Sequence, residues 1–154
     1  MILNRQRAVR LARRPLELFL ARVQRELRIG EADVTICLVS DAEIARMNQA
    51  FRNKQGPTDV LSFPAVERGV PVSLQRRRKA GSGRRLKSEV FLGDVAISPA
   101  TARRNAKRLG RTLPSELQTL ILHGVLHLLG YDHETDRGEM DRMEARLRRR
   151  LGLT

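Results

Sequence analysis

The chain has 154 residues and a mass of 17.5 kDa, is 41% hydrophobic and 31% charged, and carries one cysteine. That is one domain's worth of chain with enough length for a single core, and it excludes collagen-like, low-complexity and wholly disordered classes, an internal disulfide and a multi-cysteine metal site. Thirty lysines and arginines against 17 acids give a net charge of +13, which favours a polyanionic partner through counterion release from a phosphate backbone.

Ile2 and Leu3 open a short strand. Pro15 suits the first position of a helix reaching about Arg28, with Leu16, Phe19, Leu20, Val23 and Leu27 at helical spacing and Gly30 ending it. Five arginines precede Glu17 with no clean apolar run behind them, so no secretory signal is expected and the expected location is cytoplasmic. Residues 33 to 40 read as a strand, Val34, Ile36 and Leu38 facing one way and Thr35, Cys37 and Val39 the other. Two coverable faces predict a central strand and make Cys37 a small core residue rather than a reactive thiol. Ser40 or Asp41 caps a helix that carries Ile44, Met47, Asn48 and Phe51.

A turn at Gly56-Pro57 leads into a strand from Val60 to Phe63, stopped by Pro64. Residues 67 to 88 read as a flexible basic loop: eight basic residues and no acid lie between Arg68 and Lys87. Val90 to Ile97 is a strand, and Gly93-Asp94 inside it predicts a bulge or bend. Ser98-Pro99 starts a helix ending near Gly110, and Leu113-Pro114 starts one reaching about Leu129. A last helix runs from about Asp136 to Arg150, with Met140, Met143, Leu147 and Leu151 as its core stripe. This order predicts a single α+β domain over residues 1–154, a small mixed sheet packed with about five helices. The longest apolar run, Leu120 to Leu129, is interrupted by His123 and His127 and falls short of the roughly 20 residues a membrane span needs.

The three histidines of the chain all fall between residues 123 and 133, in H-G-V-L-H-L-L-G-Y-D-H. His123 and His127, four apart on a predicted helix, share one face and can chelate one ion. Glu116 and Thr119 extend that polar stripe on an otherwise apolar helix, as on a helix flooring a cleft. Gly130 permits the left-handed turn that swings His133 round to the same ion. Three imidazoles leave a coordination position open to water, the pattern of a catalytic zinc, although nickel and other divalent metals also suit imidazole. In the helical peptidase motif H-E-x-x-H the Glu acts as general base. Here that position is Gly124, so the standard peptidase machinery lacks a part, and the basic charge points to a phosphodiester instead.

The spacing H-x3-H-x5-H, the stretch N-x3-R-x4-P-T-D-V-L-S-F-P from Asn48 to Pro64, and L-G-D-V-A-I-S from Leu92 to Ser98 together resemble the YbeY family of bacterial metal-dependent endoribonucleases. The resemblance covers most of the chain from about Val34 to Leu147. It implies one zinc on His123, His127 and His133, with Arg52 and His123 as the catalytic residues. It further implies single-strand-specific cleavage of ribosomal RNA at the 3′ end of the small-subunit RNA, a part in ribosome quality control, and the small ribosomal subunit and its associated proteins as partners. Oligomeric state stays open. The long basic segment at 67–88 departs from the short link usual in the family.

Around these residues, Arg52 offers a guanidinium matched to phosphate oxygens. Asp59 and Asp94 read as turn or bend residues, and Asp132 and Glu134 either orient an imidazole or close the turn. With aromatics at 3%, stacking surfaces are scarce and contact with RNA is expected to be mostly through phosphate. Two other readings stand beside the endoribonuclease: a metal-dependent peptidase or amide hydrolase, and a ribosome-assembly protein with a structural zinc.

Overall fold

Four strands and five helices follow one another along residues 1–30, 33–65 and 91–153, which the computed structural model describes. In chain order they are β1 (Ile2–Asn4), α1 (Arg13–Glu26), β2 (Asp33–Leu38), α2 (Asp41–Arg52), β3 (Val60–Pro64), β4 (Phe91–Ile97), α3 (Pro99–Leu109), α4 (Leu113–Leu128) and α5 (Glu139–Leu151). The strands form one mixed sheet in the order β1-β2-β4-β3. β1 and β4 run parallel to β2, and β3 runs antiparallel to β4. The expected α+β class and the central position of β2 both hold. Pro64, which cannot donate to a ladder, sits at the end of the edge strand β3.

The helix α4 organises the core. Leu117, Leu120, Ile121, Leu122, Val125, Leu126 and Leu128 are all buried, and the helix packs on β3, β4, α1, α3 and α5. Each such side chain contributes roughly 1.5–3 kcal/mol on full burial. The opposite face of the sheet is covered by α2 through a smaller cluster of Val39, Ile44, Leu61 and Ala96, with Cys37, Met47 and Phe63 packed against it. Cys37 is a free, half-buried thiol whose pKa is raised by burial and then by Asp94. None of the helices in the described residues is long and apolar enough to cross a membrane.

Two glycines allow the close approaches that place α4. The register between β2 and β4 slips after Asp33↔Phe91, so that Val34 faces Gly93. This is the irregularity expected at Gly93-Asp94, with Leu92 as the extra residue. Gly93 has φ of +136°, and a Cβ there would overlap the Phe63 carbonyl oxygen. At Gly124 a Cβ would stand 2.6 Å from Val95 Cγ1, so only glycine lets α4 lie this close to β4. Ser62 seals the crossing by donating its hydroxyl to the Gly124 carbonyl at 3.1 Å.

Several boundaries differ from the sequence reading. α1 begins two residues before Pro15, which occupies the third helical position; the first four N–H groups of a helix need no intrahelical partner, so a proline fits there equally well. The left-handed turn after α1 is made by Arg28, φ 55°, with Ile29 N–H closing on the Gln24 carbonyl, and Gly30 only continues it. α5 begins at Glu139, after Gly138, because Asp136 spends its carboxylate on the Gly138 and Met140 N–H groups and so stands outside the helix. Ser40 is the cap of α2, accepting from Glu43 N–H at 3.1 Å. Asp41 instead turns to α3 and accepts from Ser98 Oγ at 2.6 Å, Thr101 Oγ1 at 2.7 Å and Arg104 at 2.9 Å. The expected basic loop at 67–88 and the first residue of the expected strand, Val90, lie outside the described residues.

Candidate metal centre

The last two turns of α4 carry His123 and His127 on one face. The helix then stops in a left-handed turn at Gly130, φ +98°. Gly130 N–H donates to the His127 carbonyl at 3.0 Å and Tyr131 N–H to the Leu126 carbonyl at 3.2 Å, a closure that needs glycine at its centre. Asp132 shapes the next turn: its carboxylate accepts from Glu134 N–H at 3.0 Å, and its carbonyl accepts from Thr135 and Asp136 N–H. His133, held between these two turns, faces back toward the helix.

One nitrogen from each of His123, His127 and His133 lies within 4.8 Å of the other two. His123 and His127 are half-buried and His133 is exposed. The Nε2 atoms of His123 and His127 are 3.1 Å apart. Two lone pairs at that distance repel unless a proton or a cation lies between them. Nitrogens bound at about 2.0–2.1 Å around one tetrahedral ion lie about 3.4 Å apart, so the donor set fits a metal with little movement of the helical pair and a small closure by His133. Burial first, and then the nearby His123 and His133, push the His127 pKa down, which favours the neutral imidazole that a metal needs.

Glu144, from α5, was not singled out by the sequence reading. Its Oε2 lies 3.2 Å from His123 Nδ1, and its side chain is only 18% exposed. The hydrogen bond from His123 outweighs burial and holds the Glu144 carboxyl below the usual range. An ionised carboxylate only accepts, so His123 Nδ1 carries the proton and its Nε2 lone pair faces the other imidazoles. The signal was available in the spacing: Met140, Glu144, Leu147 and Leu151 fall on one stripe of α5, and an acid within a buried stripe asks for a partner.

Arg52 ends α2 and reaches Glu134 Oε1 at 3.8 Å, with the two side chains 41% and 64% exposed. Since Glu134 follows His133, the ion pair brings Arg52 beside the histidine turn. Asn48 is buried and donates its amide to the Gly56 carbonyl at 3.0 Å, pinning the turn that follows Arg52.

The remaining candidates have structural work. Asp132 closes the turn, and Glu134 pairs with Arg52 rather than with an imidazole. Asp59 accepts from Thr58 and Asn105, and its carbonyl accepts from Ser98 N–H. Asp94 lies within β4 opposite Thr35 and Phe63. Glu116 and Thr119 do not line a cleft: they are 4% and 8% exposed, with Glu116 paired to Arg111 at 3.2 Å and Thr119 donating to the Ser115 carbonyl. Gly124 faces β4, so its position has neither a proton-transfer group nor room for one.

The family model described as Endoribonuclease YbeY matches residues 2–152. A protein of that name from Solibacter usitatus is 43% identical over 149 residues, covering 96% of this chain and 86% of its own. Another from Koribacter versatilis is 37% identical over 153 residues, covering 99% of this chain and 86% of its own. Among solved structures, the solution structure of TM1509 from Thermotoga maritima superposes with a TM-score of 0.62 at 28% identity, covering 98% of this chain and 89% of that one. The fold, the histidine turn and these relatives agree: the chain belongs to the endoribonuclease YbeY family.

Proposed function

We propose that the chain is a zinc-dependent, single-strand-specific endoribonuclease that acts in the cytoplasm on ribosomal RNA precursors, at the 3′ end of the small-subunit RNA and in ribosome quality control. The observation that carries the metal is the convergence of three imidazole nitrogens, one of them aligned by Glu144. His123, His127 and His133 hold the ion. Zinc, or nickel or another divalent ion in its place, supplies Lewis-acid polarisation of a phosphate and activation of water.

The residues of the chain do the rest. Glu144 keeps the proton on His123 Nδ1 and thereby fixes which nitrogen faces the ion. Arg52 binds the scissile phosphate through two parallel N–H bonds. Its pairing with Glu134 is long and exposed, so exchanging a carboxylate for a phosphate costs little. The net charge of +13 draws the RNA in, and the basic segment at 67–88 adds phosphate contacts that are blind to sequence. The small ribosomal subunit follows as the partner from the RNA.

Labelled unpaired RNA and casein, each incubated with the zinc-loaded chain, test this reading. RNA is expected to be cut internally and casein to stay intact. Hydrolysis of casein with intact RNA would return the amide-hydrolase reading.

A further inference from the structure

The chain has four phenylalanines, one tyrosine and no tryptophan, and one of these few aromatic rings is left in solvent on the residue that precedes Arg52. Phe51, on the last turn of α2, is 69% exposed, although Phe19 on α1 is buried in the core. The Phe51 ring meets Phe63 edge-on, with centroids 5.0 Å apart and planes at 71°. Phe63 is fixed from below: it pairs with Asp94 across β3 and β4 and packs against the α2 cluster. The ring is therefore braced yet open. Its neighbour in sequence is Arg52, tied through Glu134 to the turn that carries His133, and Lys54 lies exposed just beyond.

We propose that Phe51, supported by Phe63, is a stacking platform for one unpaired RNA base adjoining the phosphate held by Arg52. The inference rests on the endoribonuclease reading and deepens it by naming what confers the preference for single strands. Stacking on a phenyl ring is open to every base, because each has a π face, but it demands a base withdrawn from its own helix. The adjoining cations neutralise the phosphates on either side of that base. An apolar protein surface would have no need of them, which favours RNA as the occupant. The low aromatic content remains true of the whole chain; what matters is that an exposed ring immediately precedes the arginine in sequence, on the last turn of α2.

The test uses the full, metal-loaded chain with an unstructured oligoribonucleotide and a duplex of the same sequence. Phe51→Ala and Phe51→Leu should each weaken single-strand binding by about fivefold or more, the loss expected when one stacked base is removed, while zinc content, melting temperature and duplex binding stay as in wild type. Phe51→Trp should retain affinity, and its indole, the only one in the chain, should be quenched by the single strand and not by the duplex. Wild-type affinity in Phe51→Leu would reduce the ring to a plain apolar contact and overturn the proposal, as would indole emission unmoved at saturating RNA. If wild type cuts RNA and the Phe51 variants cut it equally well, stacking alone fails. If wild type neither binds nor cuts either RNA, the endoribonuclease reading fails and takes the proposal with it.

Discussion

His123 has two nitrogens with different tasks. Nδ1 meets Glu144 at 3.2 Å and Nε2 points toward His127, so the carboxylate on α5 sets the tautomer of a proposed ligand on α4. Losing such an orienting carboxylate typically costs about 10–100-fold in metal affinity. Glu144→Ala should therefore release zinc to a competing chelator that wild type resists, with the fold retained; unchanged affinity would leave Glu144 as an ordinary ion-pair residue. Arg52 is expected to behave in the opposite manner. Arg52→Ala should keep zinc and melting temperature while cleavage falls about 100-fold or more, the usual cost of removing a charge-stabilising donor. Arg52→Lys should recover only part, because an ammonium lacks the guanidinium fork. Cleavage unchanged in Arg52→Ala would return it to a surface charge. At this scale the histidines could be read directly, since spacing on a helix is local information. Arg52 needed the family resemblance, and for Glu144 the α5 spacing shows a buried acid while its partner, His123 on another helix, is not visible in the sequence.

Elements meet through polar links that a linear reading does not reveal. Asp41 stands in the first turn of α2, yet it accepts from Ser98, Thr101 and Arg104 at the start of α3. Burial alone would raise its pKa, but these hydrogen bonds outweigh burial and hold the carboxyl below its ordinary value. A carboxyl whose folded pKa is lowered stabilises the fold above its unfolded pKa, near 3.9, and the benefit disappears as pH falls through the folded value. Denaturant unfolding at several pH values should thus find Asp41→Ala less stable than wild type near neutrality, with the gap narrowing below about pH 4; a gap independent of pH would mean that the loss is one of packing. The same limits explain which boundaries could be read in advance. Ser98 and Gly110 bound α3, and Leu113-Pro114 opens α4, as local chemistry dictates. The starts of α1 and α5 were misjudged because Pro15 is acceptable anywhere in a first turn and Asp136 is drawn into the preceding loop. Gly124 read as a missing catalytic Glu, whereas its presence is explained by Val95, a β4 residue 29 positions earlier in the chain, which a Cβ would meet at 2.6 Å.

Across the whole molecule, charge and core have separate roles. The apolar residues build a sheet with α4 on one face and α2 on the other, and each of these helices carries one part of the proposed site: the histidine pair on α4, Arg52 and Phe51 on α2. The sheet order that brings them together could not be read from the sequence, because β3 and β4 pair across the long basic segment between them. Some of the basic residues serve the fold, as Arg104 does with Asp41 and Arg111 with Glu116, and the excess of 30 basic residues over 17 acidic ones favours a polyanionic partner. A reconstitution titration tests most directly whether this assembly cuts RNA through one ion held by three histidines, as proposed. Zinc is added stepwise to chain stripped by a chelator, and cleavage of an unpaired ribosomal RNA precursor fragment is followed at each step. Cleavage should rise from near zero and level off at about one zinc per chain, the stoichiometry of a single three-histidine site. Full cleavage by the stripped chain, or no cleavage at one equivalent and beyond, would contradict it.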